Sequence, residues 1–402
     1  MAGRGRVPGS AVVAVCLLLV SLVACGGGPG ADAAGAGVQR TLDRRAAAVL
    51  GHDRAAFLRT GAPGWFDRLR EIPFADWSYR LTALHRTGDR ATADAELRYR
   101  IQGYDKAPVT AGRVLTLSRG ADGQWDVDAD RPARTSAQQL WDQGKVTVVH
   151  GTRGLVLGVG QSRLALRGYA DLADRAVPAV SDAWGTDWPR RVVVVVPKSL
   201  QGMAALLGSP ASSYRGIAAV TTGEVGTPDR APADRIIVNP DAYGLLGALG
   251  RQVVLTHETT HVATRAHTGP ATPLWLSEGY ADWVGYRGSG RTPAQAAPEL
   301  ARALARGEVP QRLPDDADFG FSGDAGRLAR AYESGWTACR LIAERWGEAR
   351  LAEFYRAVGA HEKRAGAVED ALREVLGTTP EAFTARWRAY LRERLGSVGP
   401  PA

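Results

Sequence analysis

The residue types best suited to chemistry lie close together, at residues 257–261, which form the sequence His-Glu-Thr-Thr-His. Apolar residues precede this segment at 253–255, which favours a buried helix. Side chains at i and i+4 of a helix project from one face, so His257 and His261 can both reach one metal ion. Two neutral imidazoles suit Zn²⁺. The sequence therefore predicts a zinc site in which Glu258, rotated away from the ion, contacts a water molecule.

A second segment, residues 275–282, contains acidic residues that can complete this site. Its apolar residues, Trp275 among them, predict another buried helix. Glu278 can supply a third ligand and leave one coordination position open for water, as a catalytic zinc site requires. Asp282 follows one helical turn later, so we expect it to accept the second N–H of a ligating histidine and fix its tautomer.

The two segments together resemble a known family of zinc metallopeptidases. The pair His-Glu-x-x-His and Trp-Leu-x-Glu-Gly-x-Ala is similar to the gluzincins, above all to their aminopeptidase-N-like and peptidase MA-like groups. The resemblance covers residues 140 to 395 and implies that His257, His261 and Glu278 hold the zinc ion. It also implies that Glu258 is the general base in the hydrolysis of a peptide or protein substrate.

Two further positions are compared with the family's motifs. Residues 332–335 resemble its Tyr-x-Lys-Gly motif, which implies that Tyr332 is catalytic, although Ser334 replaces the lysine. An ordinary core tyrosine at this helical spacing is the alternative. The family's Gly-x-Met-Glu-Asn strand, which grips the free amine of a substrate, has its nearest counterpart at residues 222–225. There, Glu224 is a candidate for binding a substrate amine.

The elements that must position these residues begin with a helix from residue 38. An alternating pattern typical of antiparallel strands follows at residues 79–83, 95–101, 115–117 and 125–127. This order of elements is similar to small α+β cones such as the nuclear-transport-factor-like fold. We therefore predict a small α+β domain at residues 38–134.

The second predicted domain, residues 135–398, is zincin-like, with a mixed sheet and a mainly helical C-terminal half. Its strands are predicted at residues 145–149, 155–159, 192–196, 217–222 and 236–238. The unbroken β-branched run at 192–196 is typical of a strand buried on both faces. The strand at 217–222 is either purely structural or an edge strand that pairs with an extended peptide. The fold class expected for the whole chain is α+β.

The composition matches that of ordinary globular proteins, with 45% hydrophobic and 23% charged residues. The net charge is +8, yet arginines alternate with acidic residues and no basic run with interleaved aromatic residues occurs. We therefore predict no nucleic-acid partner. Asp105 and His85 stand apart from other reactive residues, which predicts surface or turn roles for both.

The N-terminal residues predict export and a lipid anchor. A positively charged start precedes an apolar segment, residues 11–23, that is too short to span a bilayer comfortably. Residues 22–25, Leu-Val-Ala-Cys, resemble the lipobox of bacterial lipoproteins, which implies a signal peptide at 1–24 and a lipid on Cys25. The Gly/Ala-rich residues 25–37 predict a flexible tether. We expect the protein at the outer face of the cell membrane; a secretory signal with an incidental cysteine is the alternative.

Three other hypotheses stay open at the level of sequence. The same residues can activate water against a non-peptide carbonyl compound, which gives a zinc hydrolase of another class. A non-catalytic zinc-fold lipoprotein that serves as a binding module is the second, and Glu258 argues against it because a structural zinc does not need that residue. A site without metal is the third.

The lipobox hypothesis predicts the behaviour of Cys25→Ser in cells. Serine lacks the thiol that carries the lipid, so we expect the variant to lose acylation and to move from the detergent phase to the aqueous phase in a detergent phase separation. Cys16→Ala, inside the apolar segment of the signal, is the matched control and should partition like the wild type. Equal partitioning of Cys25→Ser and the wild type would show that the lipobox hypothesis is wrong.

Overall fold

The computed structural model describes residues 29–222, 233–320 and 324–396. This part of the chain is an α+β fold with two sheets, as the sequence predicts. Within the same residues, no helix combines the length and the hydropathy that a membrane span needs.

Residues 29–132, which we call the N-terminal unit, form an antiparallel sheet covered by helices. Its elements in chain order are α1 (Pro29–Leu50), α2 (Arg54–Leu58), α3 (Phe66–Leu69), β1 (Phe74–Thr87), β2 (Arg90–Ile101), β3 (Val109–Arg119) and β4 (Trp125–Pro132). The four strands pair in the order β1-β2-β3-β4, and side chains along β2 alternate between buried and more exposed. The predicted antiparallel meander is thus confirmed.

Helix α1 begins at Pro29 and extends into residues 25–37, for which the composition alone predicts a flexible tether. Alanine has the highest helix propensity of all residues, and the alanines here offset the cost of the interspersed glycines. Gly37 lies close to the Trp125 side chain, and a Cβ there would lie 3.2 Å from the indole ring. The apolar spacing predicts a buried face of Val38, Leu42, Ala46, Val49 and Leu50. The helix buries the first four, whereas Leu50, its last residue, is exposed.

The remainder of the described chain contains a second sheet and most of the helices. Its elements in chain order are β5 (Val146–His150), β6 (Gly154–Val159), α4 (Arg163–Trp184), β7 (Val192–Val196), α5 (Leu200–Leu207), β8 (Ala219–Thr222), β9 (Arg235–Val238), α6 (Pro240–Gly244), α7 (Ala248–Thr264), α8 (Leu274–Tyr286), α9 (Pro293–Ala296), α10 (Pro298–Ala305), α11 (Ala325–Trp346), α12 (Glu348–Gly359), α13 (Ala367–Leu376) and α14 (Pro380–Leu395). The sheet order is β5-β6-β7-β9-β8.

The second sheet mixes parallel and antiparallel strand pairs. Strands β6, β7 and β9 run parallel, whereas β5 and β8 pair antiparallel with their neighbours. Every residue of β7 is buried, which confirms the prediction that this run is covered on both faces. Strand β8 lies at the edge of the sheet, so one side of its backbone is not paired within the sheet.

The two faces of the second sheet pack against different parts of the molecule. One face joins the N-terminal unit in a continuous hydrophobic cluster that includes Leu155, Leu157, Val193 and Val195. The other face packs against α4 and α7 through Val156, Val194, Leu166 and Leu255. Helix α7, which contains residues 257–261, therefore packs on one face of a sheet whose opposite face is covered by the N-terminal unit.

A buried ion pair also joins the N-terminal unit to the second sheet. Asp105, in the loop after β2, accepts hydrogen bonds from the Arg235 guanidinium of β9 at 2.8 and 2.9 Å. Its carboxylate also accepts the backbone N–H of Ala233 at 3.0 Å. The prediction of a surface position for Asp105 is therefore wrong, because the residue is buried. The predicted turn role holds, since Asp105 also accepts the backbone N–H of Ile101 at 2.7 Å. His85 is exposed on β1, as expected.

Helices α8 and α11 cross at two glycines. A Cβ added to Gly335 would lie 2.5 Å from the backbone oxygen of Trp275 and 3.3 Å from Cα of Gly279. No side chain fits between the two backbones, so only glycine permits this approach. The crossing places Glu278, next to Gly279, close to Tyr332, one turn before Gly335.

The tight crossing predicts that Gly335→Ala destabilises the fold. The added methyl group must push the two backbones apart, and we expect a loss of about 1–3 kcal/mol in the free energy of unfolding. Urea denaturation followed by circular dichroism measures the loss. The matched control is Gly168→Ala in α4, where a Cβ would meet no atom within 4 Å. Equal stability of the two variants would contradict the close contact.

Candidate metal centre

Three ligand-type atoms converge between α7 and α8. Nε2 of His257 lies 3.1 Å from Nε2 of His261 and 3.2 Å from Oε2 of Glu278. The distance from Nε2 of His261 to Oε2 of Glu278 is 3.5 Å. In the parts of the chain that the structure describes, these three residues are the His, Cys or carboxylate side chains that lie close enough together to hold a metal ion.

The donor set and its spacing fit Zn²⁺. Two imidazole nitrogens and one carboxylate oxygen leave the fourth position of a tetrahedron open, as in catalytic zinc sites. Bonds of about 2.0–2.1 Å at tetrahedral angles require ligand atoms about 3.4 Å apart. The three observed separations of 3.1, 3.2 and 3.5 Å bracket that value. His257, His261 and Glu278 can therefore ligate one zinc ion together.

Asp282 orients one of these ligands. Its Oδ1 lies 2.8 Å from Nδ1 of His257, one helical turn beyond Glu278 on α8. A carboxylate accepts the Nδ1–H of the ring, which leaves the lone pair of Nε2 directed at the ligand cluster. The structure thus places Asp282 where the sequence predicts the tautomer of a ligand to be fixed.

The electrostatics of the cluster favour a cation. Burial raises the pKa of Glu278, but His261 and His257 outweigh burial and hold that pKa well below its usual range. Burial lowers the pKa of His257, whereas Asp282 and Glu278 raise it to a net value well above its usual range. Two carboxylates thus favour protonated, positively charged imidazoles. A bound divalent cation would supply the same positive charge to the cluster while the imidazoles stay neutral.

Glu258 lies beside the ligands and is held by strand β8. Its side chain is mostly buried. The hydroxyl of Thr221 lies 2.6 Å from Oε2 of Glu258 and donates a hydrogen bond to it. This bond restricts rotation of the carboxylate at the edge of the ligand cluster. Thr221 is not predicted by the sequence motifs; its one signal is a polar side chain in a mostly apolar predicted strand.

A cleft with a volume of about 670 Å³ opens over the ligand cluster. Strand β8 lines one side and the first turns of α11 line another. Its walls are mainly apolar, with contributions from Ile217, Val220, Val254, Leu274 and Leu328. The cleft can therefore take an extended substrate with apolar groups and exclude much of the water around the cluster.

Tyr332 of α11 lines the cleft opposite α7. Burial raises the pKa of its phenol well above the usual range, and the carboxylates of Glu278, Asp282 and Glu258 raise it further. The hydroxyl therefore stays protonated, with the Glu278 carboxylate as its hydrogen-bond partner. The ring packs edge-on against Phe319, with the ring centroids 5.2 Å apart.

One further polar pair borders the cleft. Arg265, at the end of α7, donates from Nε to Oδ2 of Asp234 at 3.0 Å. The sequence analysis did not identify this pair, although Arg265 follows His261 by one helical turn. Two predicted positions, Glu224 and Cys25, lie outside the described residues.

Comparisons with known proteins show only distant similarity. No family model and no curated protein matches the chain. Native yeast LTA4 hydrolase is similar with a TM-score of 0.38 and 13% identity, covering 71% of this chain and 45% of the hydrolase. An M1 zinc metallopeptidase from Deinococcus radiodurans is similar with a TM-score of 0.34 and 17% identity, covering 81% of this chain and 62% of the enzyme. This chain thus spans less than two thirds of either protein.

Proposed function

We propose that the chain is a zinc-dependent metallopeptidase that hydrolyses peptide bonds, with Glu258 as the general base. The observation that carries the proposal is the convergence of His257, His261 and Glu278 beside the carboxylate of Glu258 on the floor of an open cleft. The proposed place of action is the outer face of the membrane, where a lipid on Cys25 would hold the protein.

Each of these residues has a separate role in the proposed reaction. When bound, Zn²⁺ supplies Lewis acidity, which lowers the pKa of water and polarises the scissile carbonyl. The carboxylate of Glu258 accepts the proton of the attacking water and delivers it to the leaving nitrogen as the C–N bond breaks. The hydroxyl of Tyr332 donates a hydrogen bond to the carbonyl oxygen as negative charge develops on it.

Two features favour a peptide among the possible carbonyl substrates. The free side of edge strand β8 offers backbone groups to which an extended chain can bind. The apolar cleft walls suit side chains of such a chain. The hydrogen bond from Thr221 to Glu258 also favours catalysis over a purely structural zinc, because a structural site has no use for an oriented base.

The proposed function predicts opposite effects of two glutamate substitutions. The purified protein should bind about one Zn²⁺ per chain. Glu278→Ala should lose the metal because a ligand is missing. Glu258→Gln should keep the metal and lose hydrolysis of a peptide library, because an amide cannot accept the proton. Elemental analysis and mass spectrometry of the products measure the two effects. Full zinc content in Glu278→Ala, or wild-type turnover in Glu258→Gln, would contradict the assigned role.

The role of Tyr332 predicts a specific kinetic change in Tyr332→Phe. Loss of one hydrogen bond made in the transition state should lower kcat by about 10²–10³ and leave KM nearly unchanged. Zinc content and melting temperature should stay close to those of the wild type because the ring is retained. Tyr286→Phe is the matched control, since this half-buried tyrosine packs on Trp336 outside the cleft. A wild-type kcat in Tyr332→Phe would leave Tyr332 with only a packing role.

A further inference from the structure

Arg265 shares a helical face with the two histidines of the candidate metal centre. His257, His261 and Arg265 stand at i, i+4 and i+8 along α7, so successive side chains are rotated by about 40° and all three line the cleft. Arg265 lines the cleft, and 16% of its side chain is exposed. The guanidinium is thus close to the surface that a substrate must cover.

The hydrogen bonds of Arg265 leave part of its guanidinium free. Nε donates to Asp234, whose side chain is 8% exposed, but no described residue accepts a hydrogen bond from Nη1 or Nη2. Neither of these nitrogens is among the buried polar atoms that lack a partner, so both reach solvent. Because Arg265 lines the cleft, that solvent is the water of the cleft.

The surroundings of Arg265 favour an anion. Among the described residues that line the cleft, Arg265 is the only arginine or lysine. Its neighbours along the cleft are mainly apolar, and a low local dielectric strengthens an ion pair. The two terminal groups of a guanidinium form a planar fork that matches the two oxygens of a carboxylate. The site therefore suits a planar anion such as a carboxylate better than a neutral group.

We propose, building on the proposed peptidase function, that Arg265 binds a carboxylate of the substrate close to the scissile bond. The four residues from His261 to Arg265 advance about 6 Å along α7, and an extended peptide advances about 3.3 Å per residue. The carboxylate therefore belongs to a residue one or two positions from the bond that is cleaved. It is either the C-terminal carboxylate of a short peptide or an acidic side chain, with apolar side chains along the walls.

Asp234 is the positioning residue for this interaction. Asp234 accepts a hydrogen bond from Nε of Arg265, which orients the guanidinium. The residues directly before and after Asp234 are themselves held by hydrogen bonds. The neighbouring Arg235 side chain and Ala233 backbone N–H are bound by Asp105 of the N-terminal unit. The N-terminal unit thus anchors the segment that orients Arg265.

Matched hydroxamates test the proposal with the zinc-loaded full-length protein. Each compound carries the same apolar group, and the hydroxamate binds the metal. In the first pair the C-terminus is a carboxylate or a carboxamide. In the second pair the C-terminus is a carboxamide and the side chain is that of Glu or Gln. Calorimetry should show that the wild type prefers the acid of one pair by about tenfold or more, as expected for a charged hydrogen-bonded pair. The pair that shows it identifies the source of the carboxylate.

Three variants assign the preference to Arg265. Arg265→Gln should lose it and still bind the carboxamide. Arg251→Gln, an exposed position on the same helix, is the control and should keep it. Asp234→Asn keeps an oxygen that can accept from Nε of Arg265, so the fork stays oriented, and it removes a competing negative charge, so the preference should increase. If Arg265→Gln does not fold, Asp234→Asn still decides, because an unchanged or reduced preference in that variant overturns the proposal.

The same titrations separate failure of this inference from failure of the proposed function. Tight binding of all four compounds without any preference for an acid overturns the role of Arg265 and leaves the metal centre intact. No binding of any hydroxamate by the zinc-loaded wild type overturns the proposed function itself. A preference that persists in Arg265→Gln shows that another group binds the carboxylate, and it likewise overturns the role of Arg265.

Discussion

The close contact of Gly279 with Gly335 sets the distance between α8 and α11, and the position of α11 over the ligand cluster depends on that distance. Glu278 precedes the first glycine and Tyr332 lies one turn before the second, so the crossing brings these two side chains to the same cleft. The contacts within the ligand cluster lie between α7 and α8 instead. A wider crossing would therefore move Tyr332 away from the cluster. Two small residues thus determine how closely α11 approaches the helix that carries Glu278.

The candidate site was predictable where its chemistry is encoded locally. His257 and His261 stand at helical spacing, and Glu278 and Asp282 repeat that spacing on the next helix, so periodicity alone predicts which side chains share a face. The contacts that orient these residues were not predictable from periodicity. Thr221 is separated from Glu258 by 37 positions in the chain, and Asp105 from Arg235 by 130. Such pairs depend on how the sheet is assembled, which no local pattern specifies.

The charges of the centre are balanced in pairs. Asp282 is matched with His257, Glu278 with both imidazoles, and Asp234 with Arg265. Glu258 differs, since its carboxylate is held by the neutral hydroxyl of Thr221. A neutral donor orients a carboxylate without engaging it in an ion pair, so the group remains able to accept a proton. This difference separates the proposed base, Glu258, from the two other carboxylates that line the cleft, Glu278 and Asp282.

The N-terminal unit contributes to the cleft through the sheet and through Asp105. Strands β8 and β9 carry Thr221 and Arg235, and the sheet to which they belong buries one face against that unit. Without this cover, the side chains of Leu155, Leu157, Val193 and Val195 would face water and form an apolar patch on the sheet. The loss of Asp105 would also leave the Arg235 guanidinium without its carboxylate, next to the residue that orients Arg265. The geometry of the cleft therefore depends on a part of the chain that contributes no residue to the ligand cluster.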